Sequence, residues 1–409
     1  MTVIVQKYGG TSVADSEKIL GVANRIASTH EDGNQVVVVV SAMGNTTDHL
    51  IELAEEITNK AEPREMDVLL STGELMSCTL VAMALRGIGK EAISLSGGQA
   101  GIHTDDSYGK ARIADIEPHR IKSELEKGKI VVIAGFQGIT DEMDVTTLGR
   151  GGSDTTAVAI AAGLNAERCE IYTDVDGIFT ADPRLVPQAR RMTEIGFEEM
   201  LELASLGAKM NPRSIELGMH YNVPILVASS FRQGPGTLIH GEQNMASNVG
   251  EIRNRVRGIA TDTDVAKITV IGVQDRPGIA ATLFESLSNE NVSVDVIVQN
   301  ASINNTTDLT FTVKLSDLKQ AISIVEPLTK QLKGKNYVSA VNLAKISIVG
   351  TGMQDAPGYA SKMFRTLAEN GINIDMITTS EIRITCLIDA QQISEAAQAL
   401  HKTFDLDAE

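Results

Sequence analysis

Lys7-Tyr8-Gly9-Gly10-Thr11-Ser12 puts a lysine, two glycines and a hydroxyl within six residues, directly after the apolar run Val3-Ile4-Val5. A strand that ends in glycines lets the backbone come close to a ligand with no Cβ in the way. Ser12 is expected to open a helix, with Ser12-Val13-Ala14-Asp15 fitting a capping box. Bare amides, the positive end of a helix dipole and the Lys7 ammonium would then face one point, which suits an anion. The same residues also fit an ordinary βα turn with a surface lysine. They are neither a Walker A loop nor the spaced-glycine Rossmann fingerprint.

A second stretch has the same chemistry. In Thr147-Leu148-Gly149-Arg150-Gly151-Gly152-Ser153-Asp154-Thr155-Thr156, two glycines precede a small-residue helix expected over Ala157 to Leu164. Ser153 and Asp154 are placed to cap that helix, and Arg150 offers a planar fork suited to carboxylate or phosphate. A surface loop needs none of this combination. Between the two stretches, the buried strand Val36 to Val40 runs into Ser41-Ala42-Met43-Gly44-Asn45-Thr46-Thr47-Asp48, a position where α/β sheets bind ligands. Ser71-Thr72-Gly73-Glu74 precedes an apolar helix, Leu75 to Leu85. Glu74 there serves either the helix dipole or a substrate ammonium. The strand Cys169 to Thr173 ends in Asp174-Val175-Asp176-Gly177, with Asp182-Pro183-Arg184 beyond. Acids and an arginine at a strand end suit a nucleotide, and type I turns have the same composition.

The elements that must hold these residues follow from patterning. From residue 1 to about 240, apolar strand-like runs alternate with amphipathic helices and glycine-bearing turns. That is the pattern of an α/β domain with a mostly parallel sheet. At 409 residues with 43% hydrophobic content the chain holds two or three globular domains. Val36 to Val40 is far too short to span a bilayer, and no basic-then-apolar leader is visible. Cys78, Cys169 and Cys386 have no paired spacing, which suits a reducing cytoplasm and gives no metal site. The net charge of −17 argues against nucleic acid or an anionic membrane as partner, and leaves room for a phosphate substrate.

The last third of the chain repeats itself. Lys267-Ile268-Thr269-Val270-Ile271-Gly272 recurs as Lys345-Ile346-Ser347-Ile348-Val349-Gly350, and Gln274-Asp275-Arg276-Pro277-Gly278 as Gln354-Asp355-Ala356-Pro357-Gly358. Asn291-Val292-Ser293-Val294-Asp295 recurs as Gly371-Ile372-Asn373-Ile374-Asp375, and 358 − 278 and 375 − 295 both equal 80. Each unit reads strand, Pro-Gly turn, helix, two strands, helix, and is too small to be comfortable alone. The expected domains are 1–244 for the catalytic part, 245–265 as a linker, and 266–340 and 341–409 for the repeats.

Taken in order, these motifs, with Tyr172-Thr173-Asp174-Val175-Asp176-Gly177 and Thr180-Ala181-Asp182-Pro183-Arg184, resemble the aspartate kinases of the amino-acid kinase superfamily, followed by two ferredoxin-like ACT modules. The resemblance covers essentially the whole chain. It implies transfer of the γ-phosphate of ATP, with magnesium, to the side-chain carboxylate of L-aspartate. It further implies that Lys7 neutralises the transferring phosphoryl group, with Asp154 orienting the lysines. Tyr8, Gly9, Gly10 and Gly44 would lie on the phosphates. Ser41, Thr47, Glu74, Arg150, Gly151, Gly152 and Ser153 would hold aspartate, with Glu74 on its ammonium and Arg150 on a carboxylate. Thr173, Asp174, Phe179, Arg184, Lys209 and Met210 would hold the nucleotide. Lysine, threonine or both would act at the repeats, through Asp275, Gly278, Ile279, Ala280, Gln299, Asn373, Ile374, Thr379, Ser380 and Glu381.

A homodimer or larger homo-oligomer in the cytoplasm is expected, with Met245 a candidate start for a separate regulatory polypeptide. Met210-Asn211-Pro212 is one residue shorter than the family pattern, Gly98 stands where an aromatic residue is common, and Ala228 where a basic one is. Two rival readings share these features: a kinase for glutamate, acetylglutamate or UMP, and an amino-acid-sensing subunit with an inert kinase domain.

Overall fold

The computed structural model describes residues 2–208, 210–241, 256–300, 305–353 and 357–408. It divides into two compact units, Met1–Phe179 with Arg191–Glu251, and Thr180–Arg190 with Ile252–Glu409.

An eight-stranded sheet organises the first unit. From edge to edge it runs Glu194–Gly196, Thr237–His240, Ile225–Ser229, Arg168–Thr173, Val3–Tyr8, Gln35–Val40, Ile130–Ala134 and Ala92–Leu95. All neighbours are parallel except Ile225–Ser229 with Thr237–His240. Parallel strands are covered on both faces, so the central ones carry buried apolar runs, and Val36 to Val40 are all fully buried. The helices Ser16–Glu31, Pro63–Gly87 and Gly152–Leu164 pack on this sheet. A smaller sheet holds Ile113–Ile116, Ile102–Thr104, Gln137–Ile139 and Val145–Thr147, and Pro63–Gly87 packs against its last strand as well.

Several local expectations change. Ser12 does not open the first helix. Gly10–Val13 is a short 3-10 turn, and the α-helix starts at Ser16, where the extended Asp15 accepts the Lys18 N–H at 2.9 Å. Asp15 is the stronger cap, and the Ser12 hydroxyl instead meets that of Ser230 at 2.5 Å. Nor does a helix begin beside Glu74. One helix of 25 residues runs Pro63–Gly87, with proline in its first turn, where the missing N–H costs nothing. Ser71, Thr72 and Gly73 are turn formers by type but lie inside it. Gly73 lets the helix approach Ala42 closely, since an added Cβ would stand a tight 3.0 Å from that of Ala42. By length and composition alone this helix could cross a membrane, but half of its most apolar part is buried, and its buried face carries Asp67, Ser71 and Glu74. Finally, the helix after Arg150 starts at Gly152 with Gly151 as its cap in the left-handed region (φ 74°), so Ser153 and Asp154 sit in its first turn and make no capping bond.

The second unit contains two four-stranded antiparallel sheets. One runs Val294–Gln299, Thr306–Val313, Ala266–Gln274, Asn336–Ala340, all from the first repeat. The other runs Gly258–Asp262, Leu343–Val349, Arg383–Asp389, Met376–Thr379. Residues 258–262 therefore form a strand inside the stretch read as a linker, where Ile259 supplies an apolar side chain to the second core. Met245 lies outside the described residues. Thr180–Arg190, expected in the catalytic part, also belongs here: Ala181 and Val186 join that core, and the Thr180 carbonyl accepts the Ile259 N–H at 2.7 Å. Lys267 pairs with Asp375, and Lys345 with Asp295, so each repeat's first lysine reaches the other's aspartate.

Candidate active site

An open cavity of about 750 Å³ lies at the carboxyl ends of Val3–Tyr8 and Gln35–Val40. Lys7 lines it and is nearly buried, with Nζ 2.6 Å from Asp154 Oδ1 on the helix Gly152–Leu164. Asp154 thus acts on the cavity through Lys7. Gly10 allows the next contact: a Cβ there would lie 2.7 Å from the Ala42 carbonyl oxygen. This turn and the Ser41–Gly44 loop are locked together, because the Gly44 N–H donates to the Gly10 carbonyl at 3.1 Å. The Gly44 amide is therefore engaged within the protein, while Gly44 itself lines the cavity. Gly9 donates, at a long 3.4 Å, to the Tyr172 carbonyl. The Tyr8 ring is fully buried and stacked 5.0 Å from Tyr172, so its side chain is core.

Glu74 comes in from the middle of Pro63–Gly87, only 3% exposed. Its Oε1 accepts the Ala42 N–H at 3.1 Å, while Oε2 is buried with no hydrogen-bond partner. Burial pushes its carboxyl up to about 7, and the Ala42 N–H opposes that rise. Oε2 is thus an unsatisfied buried acceptor on a residue that lines the cavity. Arg150 lines the same cavity, exposed and with its guanidinium unpaired among the described residues. Ser41, Thr47, Gly151, Gly152 and Ser153 complete the expected aspartate group around it.

Residues that the motifs did not flag hold the Arg150 loop. Asn211 Nδ2 donates to the Arg150 carbonyl at 2.8 Å, and Arg213 Nη1 to the Leu148 carbonyl at 2.8 Å. Asp67, fully buried, accepts from the Thr147 N–H, the Thr147 hydroxyl and the Gly109 N–H. Asp67 stands seven residues before Glu74. That is two helical turns, and the spacing would have revealed it had the helix been read from Pro63.

Of the nucleotide group, Thr173, Asp174, Phe179 and Met210 do not line this cavity. The Thr173 hydroxyl donates to Asp174 at 3.2 Å, Phe179 bridges to Arg191, and Met210 is buried at 6% exposure. Arg184 lies in the second unit, exposed and forked onto Asp182. Lys209 lies outside the described residues. In the first repeat, Gly278 (φ 92°) caps the helix Ile279–Asn289, and the Ile279 amide makes a long 3.4 Å bond to the Arg276 carbonyl. Asp275 is exposed, and its carboxylate accepts no bond among the described residues. Gln299 ends its strand exposed. Asn373 and Ile374 precede the strand Met376–Thr379, which contains Thr379, and Ser380 and Glu381 follow it. The repeated Gln354-Asp355-Ala356 lies outside the described residues.

Known proteins match this arrangement along its length. The Amino acid kinase family matches residues 2–229, and the ACT domain matches 268–327 and 346–404. An aspartate kinase of Pseudomonas putida is 48% identical over 100% of this chain and 98% of its own length. The chain belongs to the aspartokinase family. The aspartokinase of Corynebacterium glutamicum is 47% identical over 100% of this chain and 97% of its own. Among solved structures, Escherichia coli aspartokinase III in complex with aspartate and ADP superposes with a TM-score of 0.80 at 27% identity, covering 98% of this chain and 99% of that one. The same aspartokinase with lysine and aspartate gives 0.75 at 26% identity, with coverage of 98% and 99%. The parallel sheet followed by antiparallel ACT sheets is the aspartokinase fold, and this aspartokinase is an ATP-dependent kinase for L-aspartate.

Proposed function

We propose that the cavity is where L-aspartate meets the γ-phosphate of ATP. An oxygen of the aspartate side-chain carboxylate attacks γ-phosphorus, the bond from that phosphorus to the β–γ bridging oxygen breaks, and 4-phospho-L-aspartate and ADP result. The nucleophile is already an anion, so no general base is required, and the difficulty is bringing two anions together. Lys7, fixed by Asp154, answers it with positive charge in a partly dry site. Glu74 takes the substrate ammonium and Arg150 a carboxylate, with Ser153 and the Gly151–Gly152 amides beside them. Magnesium would enter with the nucleotide and offset part of the charge on its phosphates.

The observation that carries this reading is the convergence of the Lys7–Asp154 pair, the open Glu74 oxygen and the unpaired Arg150 on one cavity. Lys7→Ala is expected to lower kcat by about 10²–10³, the size of losing one transition-state charge contact. ATP-dependent formation of aspartyl hydroxamate measures it, with circular dichroism to check that the partly buried Asp154 left behind has not unfolded the domain. Near-normal kcat in a folded Lys7→Ala protein would rule the mechanism out.

The ACT modules make the enzyme a candidate for feedback by lysine, threonine or both, in a homodimer or larger assembly. The helix start at Ile279 and Ala280 supports the reading that their amides take an effector carboxylate, with Asp275 on its ammonium. Typical allosteric couplings are about 1–3 kcal/mol, and one charge-assisted contact is of that size. Asp275→Ala should therefore keep uninhibited kcat and lose inhibition when lysine and threonine are titrated singly and together. Unchanged inhibition curves would remove Asp275 from the effector site.

A further inference from the structure

We infer that Asp67 is a positioning residue that makes the helix Pro63–Gly87 a ruler for the substrate, setting how far Arg150 stands from Glu74. The inference rests on the reading of Glu74 and Arg150 as the two ends of an aspartate clamp. Glu74 is attached to the ruler directly, as a residue of the helix. Arg150 is attached through a short chain of bonds. On the same buried face, Asp67 Oδ1 accepts the Thr147 hydroxyl at 2.6 Å, and Oδ2 accepts the Thr147 N–H at 2.8 Å. Thr147 is three residues before Arg150. The Gly109 N–H donates to both oxygens, at 3.0 and 2.9 Å, so the carboxylate is saturated and held in one orientation.

Beyond Thr147 the loop has no slack. Arg213 holds the Leu148 carbonyl and Asn211 holds the Arg150 carbonyl. Gly151, left-handed at φ 74°, passes so close to Asn211 that a Cβ would lie 2.1 Å from its Nδ2. A side chain buried in a folded domain and bonded four times normally needs no functional account. Asp67 differs in that both its own helix and the segment it grips carry groups of the same cavity, which Asp67 and Thr147 also line. Aspartate and glutamate differ by one methylene, and a clamp of fixed span is one way to tell them apart.

Removing the grip should loosen one end of the clamp and leave the nucleotide side alone. Asp67→Asn and Thr147→Val are the two test variants. Thr147→Val removes one hydroxyl donor at nearly constant shape, so it stays informative if Asp67→Asn folds poorly. Losing a hydrogen bond to a buried charge at a positioning site should raise KM for aspartate by about 10–100-fold, with KM for ATP moving less than about twofold. The kcat/KM preference for aspartate over glutamate should shrink by a similar factor. Thr147→Ser, which keeps the hydroxyl, should restore both. Glu74→Gln and Arg150→Ala are measured alongside.

If neither of those raises KM for aspartate, the reading of the clamp falls. If both do while Asp67→Asn and Thr147→Val leave KM and the preference unchanged, the ruler alone is wrong. A fall in kcat that tracks lost thermal stability, with both KM values flat, would also overturn it.

Discussion

Glu74 carries a cost that the substrate should remove. Its carboxyl stands at about 7 in the folded protein because burial disfavours the anion, against an ordinary value of 4.5. A folded-state value above the unfolded one means the stabilising proton is fully held below about pH 4.5 and lost as pH rises through about 7. At about 1.4 kcal/mol per pH unit, the empty enzyme should lose about 3 kcal/mol between those limits. Glu74→Gln should not lose it. Thermal melts of both proteins from pH 5 to pH 8 are expected to converge at the acid end and diverge in favour of Glu74→Gln at the alkaline end, with saturating aspartate closing the gap. Parallel melting curves across that range would mean that Glu74 is ionised at no cost. The types of Lys7, Glu74 and Arg150 were readable in the sequence. Their burial was not, because a carboxylate directly after a turn-like Ser-Thr-Gly run looks the same whether it faces water or a cavity.

At the level of elements, strands were more legible than helix starts. Val36 to Val40 is a continuous apolar run, and Val3–Tyr8 is interrupted only at Gln6 and Lys7, as a covered parallel sheet leads one to expect. The starts were harder because the deciding interaction is often tertiary. Gly73 reads as a breaker, yet it sits inside a helix since Ala42 packs against that spot. Ser153 and Asp154 read as caps, yet Gly151 takes the left-handed cap position and leaves the Asp154 carboxylate free for Lys7. The strand Gly258–Asp262 was hidden for a related reason. It is short, it follows a polar stretch, and its partner strand is in the second repeat, so no local pattern announces it. Gly44 shows the limit of reading glycines as open amides, because here the amide closes one loop on another.

Across the molecule, the 80-residue duplication was visible in the sequence, but its nesting was not. Gly258–Asp262 pairs with Leu343–Val349 over a gap of 345 − 262 = 83 residues at its nearer end, and the whole first repeat lies inside that gap. Closing so long a loop from an open chain is slow. The first repeat shortens it, since its own pairing sets Lys267 opposite Ala340 and so brings the two arms out side by side. This topology predicts an order of assembly in which the inner sheet is the hinge on which the outer one shuts. Damage should then spread in one direction. Phe311→Ala, in the inner core, should cut amide-exchange protection at 258–262 and 343–349 as well as its own sheet, whereas Leu400→Ala, in the outer core, should leave 266–313 protected. Equal spread both ways would mean that the two sheets rise and fall as a single cooperative block.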